Sequence, residues 1–189
     1  MKRTPFVIER FHPAANLAVL LMALSAAVRL TYFSICGGGA GELAIHLALP
    51  VLAALSFIAA VFLGERYSRW TVLSVLLGVI FFIAKATAFE SALHTCLCIV
   101  LYLAVLALYS LTVFGFLPTK KLLYPLFGLP LLYHIFVEDM QLYILADPPV
   151  PLILWLPEIS VLLIMGALLS VSFSMRRKLP PALDSTEGL

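Results

Sequence analysis

Six ionisable side chains interrupt the apolar stretches of this 189-residue chain, and their chemistry indicates where a site lies. They are two bases, two histidines and two carboxylates: Arg29, His46, Lys85, His134, Glu138 and Glu158. A charged group costs about 2.5–3.5 kcal/mol at the centre of a membrane helix, so such groups pair with one another or serve a ligand. We therefore predict that these six residues bind a substrate.

The spacing of these residues places several of them on shared helix faces. Glu138 follows His134 by four residues, and His46 follows Glu42 by four, so each pair lies on one side of a helix. A histidine and a carboxylate in this arrangement can chelate a metal ion, relay a proton or contact a substrate. A hydrogen-bonded histidine without any ligand is the simplest alternative. We assign no resident metal and no cofactor to the chain.

The motif HTCLC at residues 94–98 adds an imidazole and two thiols near the start of an apolar stretch. Zinc and copper favour such ligands. On a helix, however, Cys96 and Cys98 point in nearly opposite directions, and only His94 shares a face with Cys98. We therefore interpret the cysteines as small apolar side chains. A disulfide between Cys36 and Cys96 stays open, because both are expected near the same membrane surface.

The elements that carry these residues are predicted to be membrane-spanning helices. Hydrophobic residues make up 63% of the chain, charged residues make up 12%, and the mean hydropathy is +1.09. A soluble domain of this length cannot bury so much apolar surface, whereas a bilayer accepts segments of about 20 apolar residues. The sequence predicts an all-α integral membrane protein with short loops and six transmembrane helices: Ala14–Cys36, Leu43–Leu63, Thr71–Phe89, Thr95–Phe116, Leu122–Ala146 and Val150–Met175.

Basic residues mark one side of the predicted bundle. Ten of the twelve lysines and arginines lie in the terminal segments and in alternate linkers, and the other linkers contain none. The positive-inside rule assigns this side to the cytoplasm, so both termini are cytoplasmic and the protein is multi-pass in the cytoplasmic (inner or plasma) membrane. The chain then divides into a cytoplasmic segment (1–13), a single membrane domain (14–175) and a cytoplasmic tail (176–189) predicted to be disordered.

This orientation places the six ionisable residues in the outer half or near the middle of the membrane. Helical side chains lean towards the helix N-terminus, so Arg29 and Lys85 lean towards the membrane centre and away from the nearer surface. Snorkelling is therefore harder for these bases, and we expect either one to pair with Glu138 or Glu158. A cluster of this size indicates a polar pocket open to the outside, and a purely structural network is the alternative.

We predict that this pocket binds or transports a small polar solute. Acidic residues outnumber basic ones outside the cytoplasmic segments, which favours a cationic or zwitterionic compound. The chain has no Walker motif, so transport would draw on an ion gradient or on a partner protein. The expected partners are the lipid bilayer, the solute, and a membrane protein or further copies of the chain. No basic patch with interleaved aromatic residues indicates nucleic acid.

The predicted architecture resembles that of the substrate-binding subunits of energy-coupling-factor vitamin transporters. The resemblance rests on six helices, short loops, a length of 189 residues and an outward-facing polar pocket. Those subunits have Ala-x-x-x-Ala spacing in the first helix, where the energising partner docks. The same spacing occurs here at Ala14/Ala18 and Ala23/Ala27. The resemblance implies a membrane subunit of a transporter.

Two other function classes stay open. A membrane-embedded enzyme acting at the outer leaflet would use His46, His134 and Glu138 as acid–base or metal-binding groups. The chain has no H-E-x-x-H or G-x-S-x-G motif, which argues against an enzyme. An accessory or assembly protein would instead dock its helices against another membrane protein, and its polar layer would be structural.

Overall fold

The computed structural model describes residues 5–87, 92–136 and 150–178, most of which are helical. Five helices within these ranges are long and apolar enough to cross a membrane, and a sixth is shorter. In chain order the six are α1 (Pro13–Cys36), α2 (Ala40–Phe62), α3 (Glu65–Ala86), α4 (Ala92–Val113), α5 (Leu123–Phe136) and α6 (Leu152–Ser174). The helical membrane class that the composition predicts is thus confirmed.

The helix ends differ from prediction by a few residues. Helix α2 begins at Ala40, three residues before its predicted start, because the Gly39 N–H donates to the Glu42 carboxylate at 3.2 Å and caps the first turn. The predicted ends of the third and fifth membrane helices, at Phe89 and Ala146, lie outside the described residues.

Two short strands join the ends of the chain. Strand β1 (Phe6–Ile8) pairs antiparallel with strand β2 (Met175–Arg177), with Val7 opposite Arg176. Both strands bury apolar side chains beneath the bundle. This small sheet is an addition to the predicted helices, and the first two residues of the tail predicted to be disordered belong to β2. Residues 179–189 lie outside the described ranges.

Buried hydroxyl groups tie this sheet to the helices. The Ile8 N–H donates to the Ser68 hydroxyl at 3.0 Å, and the Thr71 hydroxyl donates to the Ser68 carbonyl at 2.6 Å. The same Thr71 hydroxyl lies 2.7 Å from the hydroxyl of Tyr109, which is fully buried in α4. Lys120 donates to the carbonyl of Phe173 in the last turn of α6 and to that of Met175 in β2, and burial lowers the pKa of its amine. These contacts join the sheet to α3 and α6.

The helices pack so that their other ends surround a common space. Helix α1 packs most extensively on α6 and also contacts α2, while α3 packs between α2 and α4, and α5 packs against α6. Ala15, Ala18 and Ala167 are fully buried, and such small residues let membrane helices approach closely. We call the end of the bundle opposite the β1–β2 sheet the far end. It corresponds to the predicted outer side.

Candidate functional site

A carboxylate lies inside the far end of the bundle, in the first turn of the α-helical part of α6, which begins at Leu156. Glu158 follows Pro157 in this turn, and its side chain is only 7% exposed. The N-terminus of a helix carries a partial positive charge, and the C-terminus carries a partial negative charge. Lys85 lies in the last turn of α3. Each helix end therefore favours the charge that the sequence places there.

Lys85, His134 and Glu158 meet in one cluster, which we call the buried triad. The Lys85 Nζ lies 2.5 Å from the Glu158 Oε2, and the His134 Nε2 lies 3.0 Å from the same oxygen. The lysine and histidine nitrogens are 3.4 Å apart. Of the pairings left open between Arg29 or Lys85 and Glu138 or Glu158, the structure shows that of Lys85 with Glu158. The triad joins α3, α5 and α6.

A second set of contacts holds Arg29, and two of them come from residues that flank Glu158 on α6. Its side chain is buried, and its three nitrogens donate hydrogen bonds of 3.0 Å to the Ser160 hydroxyl, the His46 carbonyl and the Pro157 carbonyl. The guanidinium carbon also lies 4.7 Å from the centre of the Phe81 ring. A guanidinium has fixed, planar donors, so acceptors from α2 and α6 and the ring from α3 define its position.

The local sequence of α2 explains why the His46 carbonyl can accept from Arg29. In an α-helix this carbonyl would accept from the residue four positions later, but that residue is Pro50, which has no N–H. Residues Leu43–Ala48 form a π-helical segment, in which the Leu49 N–H donates to Ala44, five residues back. Such segments often lie at functional sites, because they expose backbone groups to other partners.

A pocket opens at the far end beside Arg29. Its volume is about 170 Å³, and it is lined by Arg29, Tyr32, Phe33, Gly37, Glu42, His46 and Pro157. Glu42 is exposed at the rim, while the His46 ring is half-buried and meets the Phe81 ring edge-on at 6.0 Å. The pocket thus combines a guanidinium, a carboxylate, an imidazole and a phenol.

The structure separates the predicted site residues into two groups. Arg29 and His46 line the pocket. Lys85, His134 and Glu158 form the buried triad and are absent from the pocket lining. The sixth predicted residue, Glu138, lies outside the described residues. The role of all six in binding a substrate stays a prediction.

Sequence reasoning missed several residues that position the site. Phe81 and Ser160 hold Arg29 but look like ordinary members of apolar helices. Tyr32 also lines the pocket, three residues after Arg29 on α1. Two features of the sequence could have indicated these contacts. Pro50 leaves the His46 carbonyl without its usual helical donor, and Ser160 lies two residues after the buried Glu158.

The HTCLC motif forms a separate cluster between α4 and α5. The Tyr133 hydroxyl lies 2.7 Å from the His94 Nδ1, and the Cys98 sulfur lies 3.5 Å from the His94 Nε2. The predicted shared face of His94 and Cys98 is confirmed. All three cysteines are free thiols. Among the described residues, no three histidine, cysteine or acidic side chains are grouped as metal ligands would be.

In comparisons with known proteins, no family model, no curated protein and no solved structure matches the chain. The alanine pairs behind the transporter resemblance differ in their accessibility. Ala18 is fully buried within the bundle, so the pair Ala14/Ala18 is not a docking surface. Ala23 and Ala27 are exposed on α1.

Breaking the buried triad on one side should destabilise the protein strongly. Lys85→Met leaves the Glu158 carboxylate buried without its ammonium partner, and we expect the free energy of unfolding to fall by about 3–5 kcal/mol. Adding Glu158→Gln removes the uncompensated charge and should restore most of this loss. Unfolding in detergent micelles measures both variants. Lys121→Gln removes an exposed amine and serves as the control, and an equal effect there would contradict the triad's role.

Replacing Arg29 tests whether its acceptors matter individually. Arg29→Lys cannot reach all three acceptors, and each buried acceptor left without a donor costs about 1–3 kcal/mol. Ser160→Ala removes one partner and should cost less. Ser34→Ala is the control, because Ser34 is exposed and bonds only to the Thr31 carbonyl of its own helix. Equal unfolding free energies for Arg29→Lys and Ser34→Ala would show that these contacts add no stability.

Proposed function

We propose that this protein binds a small zwitterionic solute in the far-end pocket. It would act as a solute-binding membrane protein or as a membrane subunit of a transporter. One observation carries the proposal: a buried guanidinium and an exposed carboxylate line the same pocket, with Arg29 at its base and Glu42 at its rim. A solute with one group of each sign matches both charges. A purely cationic compound would meet repulsion from Arg29, so the zwitterionic class is favoured.

Aromatic rings support the binding of a cationic group near the rim. Tyr32 and Phe33 both line the pocket, and their rings meet edge-on with centroids 5.1 Å apart. Aromatic faces attract ammonium groups, and quaternary ammonium groups in particular. The cationic end of the solute would therefore lie among these rings and Glu42, and its anionic end would lie towards Arg29.

The size of the pocket limits the solute. About 170 Å³ corresponds to five or six water molecules at about 30 Å³ each. This space suits a compound of the size of an amino acid or a betaine. A compound with several rings would require the pocket to widen.

The buried triad stabilises the part of α6 that lies next to the pocket. Glu158 directly follows Pro157, whose carbonyl accepts from Arg29, so the triad anchors the turn of α6 that positions the guanidinium. The close contacts within the triad also favour a second candidate, in which the polar layer is structural and the protein is an accessory subunit. The two candidates differ in whether the pocket binds a solute.

Thermal unfolding with panels of amino acids, betaines, simple amines and simple carboxylates tests the proposal. We expect zwitterions to raise the midpoint of unfolding more than compounds with a single charge. Glu42→Gln removes the carboxylate at the rim and should weaken binding of the preferred zwitterion about tenfold, the loss of roughly one charge-assisted hydrogen bond.

Glu9→Gln provides the matched control for this experiment. Glu9 is exposed and lies beside β1, at the opposite end of the bundle from the pocket, so its substitution should leave solute binding unchanged. A protein that no compound stabilises would favour the accessory role. A ligand whose affinity is equal in wild type and Glu42→Gln would show that the pocket is not its binding site.

We further propose that the chain crosses the cytoplasmic membrane six times, with both termini in the cytoplasm. Strand β1 precedes α1 and strand β2 follows α6, and their pairing requires both ends on the same side. An even number of crossings follows, which supports α5 as the sixth span beside the five long helices. Basic residues at the end with the sheet support a cytoplasmic location for it: Arg66, Arg69, Lys120, Lys121, Arg176, Arg177 and Lys178.

Labelling of intact cells checks this topology. Cys36 is exposed at the far end, so a membrane-impermeant maleimide should react with it from outside when Cys96 and Cys98 are replaced by serine. In a second variant, which also carries Cys36→Ser, Lys121→Cys should react only after the membrane is opened. The reverse pattern would contradict the proposed orientation, and labelling of both residues in intact cells would contradict six spans.

A further inference from the structure

A second opening lies near the sheet, on the surface of the bundle between α1 and α2. It is a groove of about 410 Å³ that runs along the first turns of α1 beside the end of α2. Along α1 the lining residues are Arg10 beside the sheet, then Asn16, and then the apolar Val19, Leu20 and Ala23. Phe11, Val61 and Phe62 add apolar surface at the end of the groove that carries Arg10. Because the surrounding surface is apolar, this groove faces lipid.

Arg10 fixes a positive charge at one end of the groove. Its guanidinium carbon lies 5.5 Å from the centre of the Phe11 ring and 5.8 Å from that of Phe62. Within the described parts of the chain, the ion pairs involve other residues, and no carboxylate contacts Arg10. The side chain is exposed and lies just before α1, where the headgroups of a bilayer would be.

Asn16 places an amide further along the groove. It is exposed in the first turn of α1, and its side chain makes no hydrogen bond to a residue that the structure describes. A polar group that faces hydrocarbon without a partner is unfavourable. The ester carbonyls of a glycerolipid lie at this depth and can accept from an amide.

We propose that this groove binds an anionic phospholipid. The phosphate contacts Arg10, the glycerol esters contact Asn16, and one acyl chain lies against Val19, Leu20 and Ala23. The order of groups along the groove then matches their order in the lipid. Guanidinium groups bind phosphate through paired, charge-assisted hydrogen bonds, and basic pockets between membrane helices select anionic headgroups. The proposal requires only that the bundle lies in a membrane and is independent of the solute.

A helix of another chain is the competing occupant, since Ala23 would let it approach closely. Such a helix would cover the apolar part of the groove but would bring no group matched to both Arg10 and Asn16. The combination of these two side chains therefore favours a lipid.

Native mass spectrometry of the delipidated protein tests the proposal with two probes that have the same acyl chains, phosphatidylglycerol and phosphatidylcholine. We expect wild type to prefer phosphatidylglycerol, and Arg10→Gln to reduce that preference about fivefold, the effect of one basic residue at an anionic surface. Ala23→Leu narrows the groove and should weaken both lipids equally. Inorganic phosphate should not compete, because it lacks the acyl chain.

Three results would overturn the proposal. Wild type could bind both lipids equally, Arg10→Gln could keep the full preference, or Lys121→Gln could lose as much preference as Arg10→Gln.

Ala23→Cys offers a separate check in native membranes. A disulfide-linked dimer through that residue would show that another chain occupies the groove. Unfolding in lipid-free detergent should be the same for wild type and Arg10→Gln, which separates lipid binding from folding.

Discussion

The carboxylate of Glu158 must be compensated inside the bundle, because it is almost fully buried. Its two neighbours come from different helices, with Lys85 at the end of α3 and His134 on α5. The same part of α6 also provides two of the three groups that accept hydrogen bonds from Arg29 on α1. One helical turn therefore sets the relative positions of four helices at the far end.

These contacts give the pocket a preorganised base. Arg29 is held before any solute binds, which reduces the entropy cost of binding. At the other end, the sheet joins the two ends of the described chain, and the buried contact between Thr71 and Tyr109 joins α3 to α4. Under the proposed function, a solute would enter at the far end, where the pocket opens.

Much of this arrangement can be predicted from hydropathy, charge and helix geometry. The membrane helices follow from apolar length. That Arg29 or Lys85 pairs with Glu138 or Glu158 follows from their similar depth and from the direction in which helical side chains lean, but which pair forms does not. The contacts of Phe81 and Ser160 with Arg29 cannot be predicted this way, because they depend on how each helix is rotated and which helix is its neighbour. The two strands cannot be predicted from the sequence either, because a segment of three residues is too short to show a periodic pattern.

Native mass spectrometry of the protein, purified gently from its own membrane, tests the central claim most directly. We predict a mass increase from a small zwitterionic compound, which is retained in Glu9→Gln and lost in Glu42→Gln. A wild-type protein that carries no such compound, and whose unfolding no zwitterion alters, would contradict the account. The polar layer would then serve only to hold the helices together.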